Sequence, residues 1–301
     1  MAGTIKSTVK HYIGRCIFNT ATRISPVLNT QLRFLQVNKR FANLKSPQSL
    51  TEKLSWLKLN YYNTDPLVIK CADKFCVREY VKECGFEDNL IPIIATYSSP
   101  KEICWEKLPN QFVLKWNFGS GYNILCKDKR SFNVSLAVKK LKKWQKNNYH
   151  LRYAEMQYKN IASKTLICEK YLDMPENEDL LDYKLYCFHG KVMAILVIAR
   201  PEDNDTAAIF LSPEWEILST DVHEKYKKTI SPNKPNGLFE MISIAETLSQ
   251  PFPFVRVDFY YHENKVLFGE MTFTPAGGLW TSETEINGKS MGELLDIDTT
   301  V

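Results

Sequence analysis

The spacing of apolar positions changes period several times along the chain, and each change marks an element. Ser49-Leu-Thr-Glu52 has capping-box spacing and predicts a helix through about Tyr61, with Leu54, Trp56 and Leu57 available to a core. Asp65-Pro66 starts a second helical piece, and Asp73 precedes a third over KFCVREYVKEC, which Gly85 stops. Leu90–Thr96 reads as a strand, and Ser99-Pro100-Lys101-Glu102 as a second capping box with proline at the first helical position. QFVLKWNFGSGYNILCKD reads as strand, glycine loop, strand. Residues 133–146 predict a basic helix and Lys164–Leu172 a buried strand ending in charge. Asp182–Phe188 and Lys191–Ala199 form a hairpin about His189-Gly190, and Gly237–Ser249 is an amphipathic helix leading into a second hairpin.

That second hairpin, Phe252–Gly278, carries the most chemistry. Two runs of β-branched and aromatic residues flank His262-Glu263-Asn264-Lys265. Strand side chains alternate faces, so Arg256 and Asp258 share one face, and Glu270 and Thr272 share one. Whether the two faces coincide depends on the turn. A three-residue loop centred on Asn264 sets Asp258 opposite Glu270, whereas a two-residue loop sends them to opposite faces. In the first register the carboxylates lie about 5 Å apart. Such a pair is unfavourable unless a cation lies between, and hard oxygens on rigid strands suit Mg²⁺ held with substrate phosphates. A solvated edge whose outer face is acidic is the plainer reading of the hairpin alone.

Composition narrows the class. The chain has 301 residues, 44% hydrophobic and 24% charged, enough for one large domain or two interlocked ones. Eight cysteines are scattered without CxxC pairs, and most sit in apolar runs, as expected of small buried hydrophobes in a reducing compartment. No apolar run is long enough for a transmembrane helix. The net charge of +5 is uneven: residues 1–50 hold Lys6, Lys10, Arg15, Arg23, Arg33, Lys39, Arg40 and Lys45 and no acid. That segment suits an anionic lipid surface or an acidic polymer, or it packs on the body as a helical arm. Its first apolar run is broken by Arg15 and lacks a small-residue cleavage site, so no secretory signal is expected. No aromatic-basic stacking motif or recognition helix argues for nucleic acid. The five histidines form no ligand cluster.

Two further places bear on anion binding. Lys74 falls in the first turn of its predicted helix, where it is either solvated or shares an anion with the exposed amides. Gly119-Ser120-Gly121 lets backbone amides approach a phosphate, with Lys115 on the strand just before, but no GK[ST] follows and a plain hairpin turn also fits.

The blocks SLTEKLSWLK, CADKFCVREYVKECG, LPNQFVLKWNFGSGYNI, DYKLYCFHGK, and RVDFYY followed by FGEMTFTPAGG occur in that order. Together they resemble the ATP-grasp superfamily, most closely its TupA-like branch, found with bacterial surface-polysaccharide and teichuronopeptide synthesis. The resemblance runs from about Pro47 to Leu294. It implies an α+β ATP-grasp fold with a small lid subdomain and a larger antiparallel-sheet core, preceded by a helical N-terminal segment. The implied divisions are a basic helical arm (1–50), a helical or α/β segment (51–110), the lid (111–172) and the core with the metal site (173–301). It implies that Lys74 and Lys115 bind nucleotide phosphates under a mobile cover, Gly119-Ser120-Gly121. Glu169, Lys170 and Leu172 of CEKYL match the hinge that meets adenine and ribose, and Lys184 faces the triphosphate. Asp258, Glu270 and Thr272 match the magnesium site, with threonine where the wider superfamily has asparagine. Arg256 matches the arginine that steadies an acyl phosphate. The usual leading α/β domain is replaced by helices before Leu90.

The activity so implied is ATP- and Mg²⁺-dependent ligation, in which a carboxylate takes the γ-phosphoryl group and an amine attacks the acyl phosphate. The implied partners are a glycan or lipid-linked glycan precursor and a small amine or amino acid, in the cytoplasm, with residues 1–50 touching the inner face of the membrane. Rival readings are a glycosyltransferase, an ATP-grasp kinase, or a catalytically silent binding module. The tripeptide nearest to a sugar-nucleotide DxD is Asp203-Asn204-Asp205.

Overall fold

The structure, a computed structural model, describes residues 14–174, 180–199, 206–219, 222, 226, 228–279 and 284–297. Asp203-Asn204-Asp205 lies outside these residues. Helices come first. Residues 14–24 (α1) and Pro26–Asn38 (α2) precede α3, Leu50–Asn60, which opens on the expected capping box of Ser49 and Glu52. α4 (Pro66–Ala72) is capped by Asp65, and α5 is Val77–Glu83. The helix expected from Lys74 thus starts three residues later. Asp73 accepts hydrogen bonds from the amides of Phe75 and Cys76, which holds Lys74 in a turn outside the helix.

A four-stranded antiparallel sheet has the order β1-β4-β2-β3, with β1 Ile93–Tyr97, β2 Phe112–Trp116, β3 Asn123–Cys126 and β4 Leu166–Lys170. It therefore draws a strand from before residue 111. Its core of Phe112, Leu114, Trp116 and Phe118 is closed by Leu141 of α6, Val134–Gln145, and by Tyr149. The second capping box starts no helix. The Glu102 carboxylate instead accepts hydrogen bonds from the amide and hydroxyl of Ser98, and only a short 3₁₀ turn follows at Trp105–Lys107.

The larger sheet has the order β10-β9-β5-β6-β7-β8, all antiparallel: β5 Asp182–Phe188, β6 Lys191–Ala199, β7 Ala207–Leu211, β8 Ile217–Ser219, β9 Phe254–His262 and β10 Lys265–Thr272. One face carries Leu185, Cys187, Val255, Val257 and Phe259, which pack with Met241, Ile244, Ala245 and Leu248 of α7, Leu238–Ser249. The opposite face is left for Lys184, Arg256 and Asp258. A small cluster of Ile91, Leu172 and Leu267 joins the ends of β1 and β4 to β10, tying the two sheets together. The cysteines divide evenly rather than lying mostly inside. Cys71, Cys126, Cys168 and Cys187 are buried, whereas Cys16, Cys76 and Cys104 are exposed and Cys84 is half-buried.

Candidate active site

The β9–β10 hairpin resolves the open register by a route that neither simple loop offers. Its loop has two residues, Glu263 and Asn264, both left-handed (φ 50° and 60°), and His262 pairs with Lys265. That geometry matches the twist of the flanking strands, and asparagine tolerates it well. Continued without interruption, it would set Gly269 opposite Asp258 and turn Glu270 toward the helix-covered face. A bulge intervenes. Phe268 pairs with Phe259, Gly269 is the extra residue, and Glu270 pairs with Asp258. The expectation that a three-residue loop is needed is thus corrected, while the pairing of the carboxylates stands. A side chain at the bulge would crowd the strand: a Cβ at Gly269 would sit 3.0 Å from the Asp258 carbonyl oxygen.

The bulge completes a row across three strands, since Lys184 of β5 pairs with Asp258, and Asp258 with Glu270. The next row is Tyr186, Arg256 and Thr272. Asp258 is 2% exposed and takes two hydrogen bonds from Arg256, Nε to Oδ1 at 2.6 Å and Nη2 to Oδ2 at 2.7 Å. It also accepts from Lys184 Nζ, which lies 2.8 Å from Asp182. Thr272 Oγ1 accepts from Arg256 at 3.1 Å and donates to Glu270 at 3.3 Å. Lys74 Nζ reaches Glu270 at 3.1 Å and donates to the Gly119 carbonyl at 2.7 Å.

Three carboxylates (Asp182, Asp258, Glu270) thus interlock with three cations (Lys74, Lys184, Arg256). Burial pushes the Asp258 carboxyl up, with Arg256 and Lys184 acting against that rise. Burial also opposes the Arg256 charge, but Asp258 outweighs it and holds the guanidinium well above its ordinary value. For Glu270 the outcome is reversed: burial would raise its carboxyl, but Lys74, Lys184 and Arg256 hold it well below the usual range.

Lys115 and Glu169 form a second group, across β2 and β4, joined at 2.7 Å. Arg78 of α5 adds a 3.5 Å contact to Glu169 and donates to the Ile91 carbonyl. The Lys170 side chain is exposed while its amide bonds to the Pro92 carbonyl, and Leu172 is buried against Ile91 and Leu267. In the glycine loop, Gly119 and Gly121 are left-handed (φ 72° and 75°), and Ser120 and Gly121 are exposed. A Cβ at Gly119 would fall 2.5 Å from the Tyr149 ring.

Several participants were not singled out in the sequence. Asp182 was visible two residues before Lys184, on the same strand face. Asp73 and Asn117 tie the Lys74 turn to the end of β2 through a 2.7 Å side-chain hydrogen bond, and the Lys74 amide donates to the Asn117 carbonyl. Arg78 sits four residues after Lys74 with nothing local to mark its reach to Glu169. Glu155, fully buried, accepts from Thr274 just past β10 at 2.6 Å.

Two antiparallel sheets of four and six strands, with a glycine loop of the smaller reaching over a basic–acidic face of the larger, make up an ATP-grasp fold. The TupA-like ATP-grasp family model matches residues 52–295, and the chain belongs to that family. Among solved structures it is similar to a D-alanine–D-alanine ligase from Bacillus anthracis, at 15% identity over 68% of this chain and 57% of that one, with a TM-score of 0.39. It is also similar to an ATP-grasp ligase, PsnB, complexed with minimal precursor, Mg and ADP, at 11% identity over 75% and 58%, TM-score 0.37. A RimK domain ATP-grasp protein from Sphaerobacter thermophilus matches at 10% identity over 68% and 60%, TM-score 0.40. The chain spans somewhat over half the length of these proteins. No curated protein matches it.

Proposed function

We propose that the chain is an ATP- and Mg²⁺-dependent carboxylate–amine ligase acting on a bacterial surface-polysaccharide precursor. The observation that carries this reading is the row Lys184–Asp258–Glu270, with Arg256, Thr272 and Lys74 around it and the Gly119 carbonyl in reach. Two carboxylates and a hydroxyl are hard oxygen donors, and leave room for the phosphate and water ligands that Mg²⁺ prefers. Among the described residues no group of three or more His, Cys, Asp or Glu offers a full protein cage. Asp258, Glu270 and Thr272 would hold the ion, which when bound neutralises charge on the transferring phosphoryl group.

The chain's own residues do the rest. Lys74, Lys115 and Lys184 exchange their carboxylate partners for phosphate oxygens, so the cations are already gathered and desolvated where the anion enters. The substrate carboxylate attacks the γ-phosphorus and ADP leaves. The amine then adds to the acyl carbon of the acyl phosphate, loses a proton, and expels inorganic phosphate. Arg256, held rigidly by Asp258, places a fixed positive charge where the oxyanion develops. The glycine loop excludes water that would hydrolyse the acyl phosphate. The carboxylate is that of a uronic acid or amino acid on a glycan or lipid-linked glycan precursor, the amine a small amine or amino acid, and the compartment the cytoplasm. Among the described residues no helix is long and apolar enough to cross a membrane.

Calorimetry with Mg·ATP tests the nucleotide step. Lys115→Ala should weaken binding by about 10- to 100-fold, the worth of a charge-assisted contact. Glu270→Gln should keep much of the affinity while losing about two to three orders of magnitude in turnover with purified glycan and amine. ADP with phosphate and a new amide supports ligation. A phosphorylated product without amide means a kinase, released UDP means a glycosyltransferase, and absence of Mg·ATP binding ends the reading.

A further inference from the structure

The helix α2 buries polar residues beside a single aromatic one. Its buried positions are Asn29, Thr30 and Phe34, and Arg33 is half-buried beside them. Val27, Leu28 and Leu35 face outward at 47%, 38% and 37% exposure. The inward polar groups are used in fixing the arm to the body. Asn29 Nδ2 joins α2 to α1 at the Phe18 carbonyl (2.7 Å) and reaches the Leu151 carbonyl of the body at 3.4 Å, while Arg33 donates to the Arg152 carbonyl at 3.0 Å and Thr22 of α1 to the Leu151 carbonyl at 2.8 Å. The Arg33 guanidinium is stacked on the rings of Phe18 and Tyr153, at 3.6 and 4.7 Å. Phe34 adds an apolar contact with Leu279 and Tyr153, while Val27, Leu28 and Leu35 stay exposed.

Exposed apolar residues occur beyond this helix as well. Ile17 and Ile24 lie one heptad apart on α1, at 55% and 71% exposure, and Phe41 follows α2 at 61%. Seven of the fourteen exposed large apolar side chains among the described residues fall within 17–41, so the arm concentrates them. A patch of that kind marks an interaction surface.

Charge selects its occupant. Residues 1–50 hold eight cations and no acid. Among the described cations, Arg33 is used internally and Arg40 pairs with Glu52, whereas Arg23 and Lys45 pair with no acid among the described residues. A second copy docked symmetrically would set cations against cations, which argues against self-association. Beside the α1–α2 junction, a cavity of about 390 Å³ is lined by Thr22, Arg23, Pro26, His150, Met156 and Lys159, among others, with no acid in its wall. Burial lowers the His150 pKa, and Lys159, Lys164 and Arg23 lower it further, so the cavity is short of negative charge. An entering phosphate supplies it.

We infer that this arm is a docking surface for an anionic phospholipid bilayer, its apolar stripe lying in the interface and the Arg23–His150–Lys159 cavity taking a headgroup phosphate. Exposed apolar residues flanked by cations bind such surfaces by combining buried area with attraction to anionic lipid. Among the described residues no helix is long and apolar enough to cross a membrane. The inference stands apart from the ligase reading, because its test uses no nucleotide or acceptor.

The full chain is sedimented with phosphatidylglycerol–phosphatidylcholine vesicles and with pure phosphatidylcholine vesicles, at low and high salt. The expected result is binding to the anionic vesicles alone, reversed by salt. Leu28→Ser with Leu35→Ser, and separately Arg23→Glu with Lys159→Glu, should each lower the partition coefficient about tenfold or more, with thermal midpoint and circular dichroism unchanged. Ile24→Ser, at the most exposed of these positions, gives an independent reading should the double variant lose stability. Failure to bind anionic vesicles at low salt, equal binding to both vesicle types, or indifference to these substitutions overturns the inference. So does a dimer in sedimentation velocity that Leu28→Ser with Leu35→Ser dissociates, since the stripe then belongs to a second copy.

Discussion

Asp258→Asn keeps the shape of the side chain and removes one charge from an interlocked set of three acids and three bases. Asp258 is 2% exposed, and its two oxygens take both Arg256 hydrogen bonds and the Lys184 contact. An amide offers one acceptor oxygen. Its NH₂ must then face either Arg256 Nε or both Arg256 Nη2 and Lys184, donor against donor, and a buried positive charge is left over. Breaking a buried pair by removing one partner costs about 3–5 kcal/mol. Burial already works against the Asp258 charge, so the lower end, about 3 kcal/mol, is expected. That is a large part of a typical total of about 5–15 kcal/mol. In a chain of this size it corresponds to a fall of about 6–12 °C in thermal midpoint. Urea denaturation followed by circular dichroism should show a lower midpoint with an unchanged slope. Lys184→Met alone should also destabilise, because it removes the cation between Asp182 and Asp258 and leaves one excess negative charge. Combining the two restores the balance, so the double variant should lie about 1–3 kcal/mol above the sum of the singles. A loss below about 1 kcal/mol for Asp258→Asn, or strict additivity in the cycle, would refute the reasoning.

Gly269→Ala should destabilise by about 1–3 kcal/mol, because its Cβ meets the Asp258 carbonyl at 3.0 Å and neither strand can yield freely. A crystal structure should show Glu270 displaced from Lys74, and an unchanged Glu270 position with unchanged melting would contradict the role given to the bulge. Acid stability depends in part on Glu52. Burial would raise its carboxyl, but Arg40 and the amides of Asn43, Gln48 and Ser49 bring it down from 4.5 to about 2. A depressed carboxyl contributes stability in full above its unfolded value and loses it as pH falls, so the loss runs from pH 4.5 down through about 2. It amounts to about 2–3 kcal/mol, allowing for the exposed Arg40 partner. Glu52→Gln should flatten that part of the stability–pH curve, and equal acid sensitivity of the two proteins would count against it.

Local chemistry alone determined the capped start of α3, the His189-Gly190 hairpin, the glycine loop and the alternating runs of the large sheet. Each depends on residues a few positions apart: a hydroxyl three residues from a glutamate, or left-handed residues between two period-two runs. The same locality made Ser99–Glu102 look like a helix start. There the Glu102 carboxylate accepts from the amide and hydroxyl of Ser98, and no helix starts. The carboxylate pair itself could be named from sequence, but its pairing could not. A bulge at Gly269 costs one ladder position and is justified only across the hairpin. There it returns Phe268 to Phe259 on the helix-covered face and Glu270 to Asp258 on the other, a condition that no single strand expresses. Arg78 was likewise silent, since its partners Glu169 and Ile91 lie outside its helix, as was α2, whose inward polar groups are meaningful only against the Leu151 and Arg152 carbonyls. Periodicity reports which residues share a face. Which face is inside, and which charges meet there, was decided by the packing of one element on another.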